Sequence, residues 1–423
     1  MNVTEKLYPF GERVTEAVLD NGLTVRVLPR PSYRKCVACF GTDFGGADRR
    51  YRLNGESYMT PAGTAHYLEH KLFDMPDGNA LAALNASGAD PNAYTSESCT
   101  MYHFECTQDF DTNLRTLLRF VSTPYFTQES VDKERGIIAQ EIRMGDDSPG
   151  QKLYDDLFGC LYHTHPLRDS IAGTVESIAD ITPQTLYDCH AVFYRPSNMM
   201  LTAVGPVEPE AVLRAAEELL PSDWSEKPGK DYGGPEPPLP LKTRSERRME
   251  VARPLFLLGC RAEDSGRGED FYRRQLLART ALQCLAGRTT PFFSRLYAEG
   301  LLNLSFDADA EFLLGQRLLT FSGETDEPER VYDALRTELD RVGRDGIDPA
   351  LFDRIQKSIY GGRLRALDSP AGLAVSLAES VPDGVDPLDD LRLLETLTAD
   401  EVSAFLRDSF PADAMAMSVI RPV

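Results

Sequence analysis

The sequence predicts an α+β protein of two similar lobes, each an antiparallel-rich sheet covered by helices, joined by a Pro/Gly-rich linker. Three observations carry that prediction. The 423 residues suffice for two domains. Asp223–Lys242, DWSEKPGKDYGGPEPPLPLK, has the composition of an extended, semi-rigid connector. A pair of helices joined by a turn recurs on either side of it. In the first half a leucine helix, Asn113–Val121, runs through Pro124-Tyr125-Phe126 into Thr127–Met144. In the second half Glu329–Val342 runs through Gly346-Ile347-Asp348 into Pro349–Leu367. The expected boundaries are a first lobe over 1–222, a linker over 223–245 and a second lobe over 246–423.

The elements follow in order. Residues 13–30 read as two strands around Asp20-Asn21-Gly22, a hairpin signal between alternating apolar residues. Lys35–Thr42 is a third strand, leading through Gly45-Gly46 to a polar loop that ends near Ser57. A helix follows in Thr60–Met75, with Thr60 as cap and Pro61 in its first position. Gly78–Ser87 reads as a further helix. Ala93–Phe104 is rich in β-branched and aromatic residues and reads as a strand. Asp111–Val121 puts Leu114, Leu117, Leu118 and Val121 on one helical face. Thr127 caps the next helix, with Glu129 in its first turn. Helices are also expected over Lys152–Leu161, Thr182–Val192 and Glu208–Leu220, and a buried strand over Met199–Val204.

Chemistry concentrates in Thr60–Met75, TPAGTAHYLEHKLFDM. His66, Glu69 and His70 form H-x-x-E-H, and positions i, i+3 and i+4 share one helical face. Two imidazoles one turn apart can hold one metal ion, with the carboxylate between them close enough to act on a water there. This is the inverted zincin pattern. Catalytic zinc takes three protein ligands and leaves a position open. The candidates for the third are Glu134 and Glu141, seven residues and two turns apart on Thr127–Met144. Ile137, Ile138 and Ile142 around Glu141 predict a face that is not fully solvated.

GTAHYLEHKLF, then NAYTS, then KERGIIAQEIRM followed by DDSP, resemble the M16 metallopeptidases, the pitrilysin, insulinase and mitochondrial processing peptidase group. HPLRDSIAGTVESI and FYRPSNMMLTAVG extend the resemblance over most of the first half, and small bacterial members that occur beside a motif-less partner look most similar. The resemblance implies that His66, His70 and Glu141 bind one zinc ion, that Glu69 is the general base, and that Glu134 supports the site from behind. It implies that the strand after Asn92 is an edge that takes substrate as an added strand, with Asn92 and Ala93 beside the scissile bond. It also implies two lobes per chain and a four-lobed chamber, hence a second M16-like chain as partner, or else a homodimer. Family members often carry an Arg and a Tyr seven residues apart in a non-catalytic lobe, gripping the substrate carbonyl. In Phe292–Phe306 the residue seven after Arg295 is Leu302, and the pair is missing.

The second lobe reads as a worn copy. Aligning Phe126 with Ile347 sets Ile355 opposite Glu134 and Gly362 opposite Glu141, and all six histidines lie at or before His190. Only the first lobe can be chemical. The net charge of −21 disfavours nucleic acid and anionic membrane surfaces as partners. No apolar run has the length of a bilayer span, and the first residues carry no secretory pattern, so a cytoplasmic protein is expected. Eight scattered cysteines form no disulfide framework, and Cys36-Val37-Ala38-Cys39 reads as core rather than metal. His163 and His165 lie in an irregular stretch without a third donor. The expected function is zinc-dependent endopeptidase action on peptides or small unfolded polypeptides. The alternative is a zinc-bearing peptide-binding or assembly subunit without activity of its own.

Overall fold

The structure, a computed structural model, describes residues 2–8, 11–411 and 413–423. It is α+β, with two compact units. One comprises Met1–Ile142, Ser170–Tyr232 and Arg365–Leu388. The other comprises Arg143–Asp169, Gly233–Leu364 and Asp389–Val423.

The first unit holds a seven-stranded sheet. Its spatial order is Asn2–Leu7, Arg13–Val18, Thr24–Pro29, Met199–Gly205, Cys36–Thr42, Thr100–Cys106 and Asp90–Thr95. All neighbours are antiparallel except Met199–Gly205 against Thr24–Pro29. The second unit holds five strands in the order Arg244–Met249, Met415–Pro422, Leu255–Glu263, Gln316–Glu324 and Asp307–Leu313. Its one parallel pair, Arg244–Met249 with Met415–Pro422, occupies the same place as the parallel pair of the first sheet. The second sheet is thus the first without the two strands at one end, Asn2–Leu7 and Arg13–Val18, so the repeat read from the helices extends to strand order.

One helix in each sheet's cover comes from the other half of the sequence. In the first unit Leu373, Ala374, Leu377 and Ala378 of helix Pro370–Glu379 pack on Val37, Cys39, Met200 and Val204. Thr202 Oγ1 donates to Ala374 O at 2.7 Å. In the second unit Leu153, Leu157 and Leu161 of helix Pro149–Leu161 pack on Leu257, Leu318, Ala416 and Ile420. Gly259 lets that helix approach, since a Cβ there would lie 2.8 Å from Leu157 Cδ2. Both helices open with a Ser cap and a Pro, at Ser148-Pro149 and Ser369-Pro370. These stand in the register that pairs Glu141 with Gly362. Each fully buried leucine is worth about 1.5–3 kcal/mol.

The strand expected over Ala93–Phe104 is a hairpin, Asp90–Thr95 and Thr100–Cys106. Ser96 makes the turn: its hydroxyl accepts from Ser98 N and Cys99 N, and its own N–H donates to Cys99 O. Cys36 and Cys39 sit on opposite faces of one strand, in different core clusters, so they cannot share a metal. All eight cysteines are free and buried. Among the described residues no helix is long and apolar enough to cross a membrane.

In the Pro/Gly-rich connector, Lys230 Nζ meets Asp43 Oδ1 at 2.5 Å and Asp48 Oδ2 at 2.9 Å within the first unit. In the second unit Glu236 takes the backbone N–H groups of His163, Thr164 and His165 at 2.6–2.7 Å, plus the Thr164 hydroxyl. Burial alone would raise this carboxyl. The three amides outweigh it and hold the group down at about 2, against 4.5 ordinarily. A depressed carboxyl stabilises the fold above its unfolded pKa, and that stability is lost as pH falls through the folded one. Glu236→Gln is expected to cost roughly 3 kcal/mol near neutral pH. In urea titrations the gap to wild type should close as pH falls from about 5 toward 2.

Candidate metal centre

The helix that carries His66 spans Thr64–Leu72. It starts later than the expected cap at Thr60, because Gly63 caps it with φ +91°, a left-handed conformation that ends any helix upstream. A Cβ at Gly63 would also stand 2.5 Å from Ala172 O. Tyr67, Leu68 and Leu72 anchor the helix in the core. His66, Glu69 and His70 take the remaining face. The helix Gln128–Asp146 lies alongside, with Val131, Ile138 and Ala139 buried. Thr127 Oγ1 accepts from Ser130 N, as a cap does. The buried Tyr67 hydroxyl donates to Val131 O and fixes the two helices against each other.

That register brings the donors together. His66 Nε2 lies 3.7 Å from Glu141 Oε1, and His70 Nε2 lies 3.6 Å from Glu141 Oε2. The donor atoms of His66, His70 and Glu141 all fall within 4.8 Å of one another, and no other such group of three is found among the described residues. Zinc bonds of about 2.0–2.1 Å set tetrahedral ligands roughly 3.3 Å apart. Two imidazoles and a carboxylate at these spacings fit a catalytic zinc ion with one position left over. Glu134 Oε1 sits 3.0 Å from His70 Nδ1. A carboxylate can only accept, so Nδ1 is the donor of this pair, and in the neutral imidazole that leaves the Nε2 lone pair free to ligate.

The electrostatics follow burial and company. Burial, then the neighbouring His70, lowers His66 to about 4, so it is a neutral imidazole at pH 7. Burial lowers His70 too, but the Glu134 hydrogen bond and the charges of Glu69, Glu134 and Glu141 raise it on balance. Burial raises Glu69 from its ordinary value; Thr95 and His70 oppose the shift and Glu141 adds to it. Glu141 is more open than its isoleucine neighbours predicted. Its side chain is 50% exposed and Ile137 is 48% exposed, because only Ile138 of the three faces fully inward.

Among the described residues Asp90–Thr95 is the last strand of its sheet and pairs on one side only, with Thr100–Cys106. It packs against the His66 helix. Asn92 and Ala93 lie on it, and Asn92 Oδ1 accepts from Ala93 N–H at 2.9 Å. Thr95 Oγ1 donates to Glu69 Oε2 at 2.6 Å. Sequence reading passed over Thr95. It lies within NAYTS, but its spacing from Glu69 has no helical or strand period to betray the contact. His103, opposite Asn92 on the neighbouring strand, and His190, bonded to Val121 O, stand apart from the cluster. His163 and His165 serve Glu236 through their backbones.

Comparison with known proteins identifies the family. Residues 55–175 match the family model described as Insulinase (Peptidase family M16), and residues 180–359 match the Peptidase M16 inactive domain. The uncharacterized zinc protease YmfH of Bacillus subtilis is 34% identical over 415 residues, which is 96% of this chain and 95% of that protein. A crystal structure of a protein from Alicyclobacillus acidocaldarius, described as M16-like, superposes with a TM-score of 0.92 at 33% identity. It is covered over 99% of its length by 97% of this chain. Pitrilysin shares the fold, with a TM-score of 0.78 at 17% identity, and the whole of this chain covers 46% of it.

Proposed function

The chain belongs to peptidase family M16, and from that premise we propose that it is a zinc-dependent endopeptidase for peptides or small unfolded polypeptides, acting as the catalytic half of a two-chain chamber with one zinc per chain. The observation that carries this reading is the convergence of three donors within 4.8 Å, with Glu69 between two of them in sequence and a free sheet edge beside them.

His66, His70 and Glu141 would hold the ion. When bound, zinc supplies Lewis acidity, bringing a water's pKa near neutral and polarising a carbonyl. The outer edge of Asp90–Thr95 would hold an extended peptide by main-chain pairing, a grip that tolerates many sequences. A docking peptide would exchange with the Asn92 side chain for the Ala93 N–H. Glu69 would take the proton of the attacking water and deliver it to the leaving amine. Its carboxyl, raised by burial, suits that return. Glu134 would keep His70 in the tautomer that ligates.

A second chain is supported by Leu302, which stands where the resembled family would put the tyrosine of its Arg–Tyr pair and is 3% exposed and part of the core. The other reading, a zinc-bearing binding subunit, draws on the same missing pair. The eight unpaired, buried thiols support a reducing compartment such as the cytoplasm.

The test is cleavage of a mixed set of unstructured quenched peptides by the purified chain, before and after zinc removal with a chelator. Turnover should vanish on chelation and return when zinc is restored. Turnover that survives chelation sinks the zinc-peptidase reading. A chain that binds zinc and cleaves only after a second M16-like chain is added supports the chamber. Full activity of the chain alone removes the need for that partner.

A further inference from the structure

The hydrogen bond between Thr95 and Glu69 joins two parts of the site that the proposed function treats separately. Thr95 is the last residue of the free edge strand. Ser96 N–H bonds to Cys99 O, so in the register that pairs Thr95 with Thr100 and Ala93 with Tyr102 the N–H of Ala93 points outward, where it meets Asn92 Oδ1. Ladder alternation puts the N–H and C=O of Thr95 on that same outer edge. Its side chain faces the His66 helix, where the hydroxyl meets Glu69 Oε2 at 2.6 Å. A carboxylate cannot donate, so the one Thr95 proton is committed to Glu69.

The threonine has little freedom to do anything else. A β-branched residue in a strand is stiff at χ1. The Thr100 hydroxyl stands 3.4 Å behind its own, and Thr100 is fully buried with its hydroxyl bonded to Phe44 O. The turn after Thr95 is clamped as well. Gly46 N donates to Ser96 O and Ala47 N to Glu97 O. A Cβ at Gly45 would lie 2.4 Å from Glu97 C and Ser98 N, so the clamp closes only over glycine. Glu69 Oε1 makes no hydrogen bond to the described residues, so one oxygen is held and the other is left for the reacting water.

We propose that Thr95 is a positioning residue that links the peptide-docking edge to the base: its backbone takes part in gripping the substrate while its hydroxyl fixes the orientation of the Glu69 carboxylate. This rests on Glu69 being the base of the proposed peptidase. The class of ligand is an extended peptide main chain, whose pairing with the strand holds Thr95, and through it Glu69, in the reacting geometry.

The experiment compares wild type, Thr95→Val, Thr95→Ser and Glu69→Gln, each as the full zinc-loaded chain with its partner where one is needed. Thr95→Ala takes the place of Thr95→Val if the latter does not fold. Thr95→Val should lower kcat by about tenfold to a hundredfold, as loss of a group behind the reacting ones does. KM, zinc affinity by chelator competition, and fluorescent-peptide affinity in a Glu69→Gln background should stay within about twofold. Thr95→Ser, which keeps the hydroxyl, should recover most of kcat. A crystal structure of the metal-free Thr95→Val chain should show the Glu69 carboxylate rotated from its wild-type position. Wild-type kcat in Thr95→Val, with Glu69→Gln still inactive, overturns the proposal and leaves the peptidase reading standing. Zinc or peptide affinity falling in step with kcat overturns it too, because Thr95 would then only support the fold. Wild type no faster than Glu69→Gln overturns the peptidase reading, and the role of Thr95 with it.

Discussion

Glu69→Gln in the zinc-loaded chain is expected to reduce kcat by about 10²–10⁴-fold, the range that a positioned general base contributes. The substitution changes little else. Glu69 is not among the three donors that converge. Its buried position accepts an amide of the same shape, and a glutamine carbonyl can still accept from Thr95 at the place where Glu69 Oε2 does. What is lost is the capacity to take a proton. Zinc content should therefore match that of wild type while turnover collapses, read by metal analysis beside a quenched-peptide assay. A variant that keeps near-wild-type turnover would remove Glu69 as the base.

Glu141→Gln should act on the metal instead. Glu141 reaches both imidazoles, one oxygen toward His66 Nε2 and the other toward His70 Nε2. An amide offers a weaker, neutral oxygen. Since losses even behind the ligands cost about tenfold to a hundredfold in affinity, this one should cost at least as much. Competition against a chromophoric chelator measures it. Glu134 provides the comparison. Glu134→Gln keeps an acceptor for His70 Nδ1–H and should weaken zinc less than Glu134→Ala, which frees the imidazole to change tautomer. Equal losses in the two Glu134 variants would mean that charge, not tautomer, is what Glu134 supplies.

The sequence alone determined whatever depends on local period. His66, Glu69 and His70 share a face because three and four residues are one helical turn, and no tertiary contact is needed to know it. The α+β class and the two similar lobes were legible for the same reason, from apolar periods and from a helix pair that recurs in register. Period made Glu134 and Glu141 legible as a stripe, while their separate roles came only from the family resemblance. Which oxygen meets Nδ1 and which meets Nε2 depends on how two helices pack, fixed here by Tyr67 on Val131. Gly63 defeated the expected cap, since Thr60 and Pro61 carry the right chemistry while Gly63 after them takes a left-handed conformation where a Cβ would meet Ala172 O.

Tertiary structure alone decided three further things. It turned one apparent strand into a hairpin, whose first arm, Asp90–Thr95, is the edge that only the family resemblance had implied. It laid helix Pro149–Leu161 and helix Pro370–Glu379 on sheets from the opposite halves of the chain, because an apolar helical face specifies that it must be covered without naming what covers it. And it set Thr95 on Glu69, a contact between a strand and a helix whose distance along the chain carries no period at all.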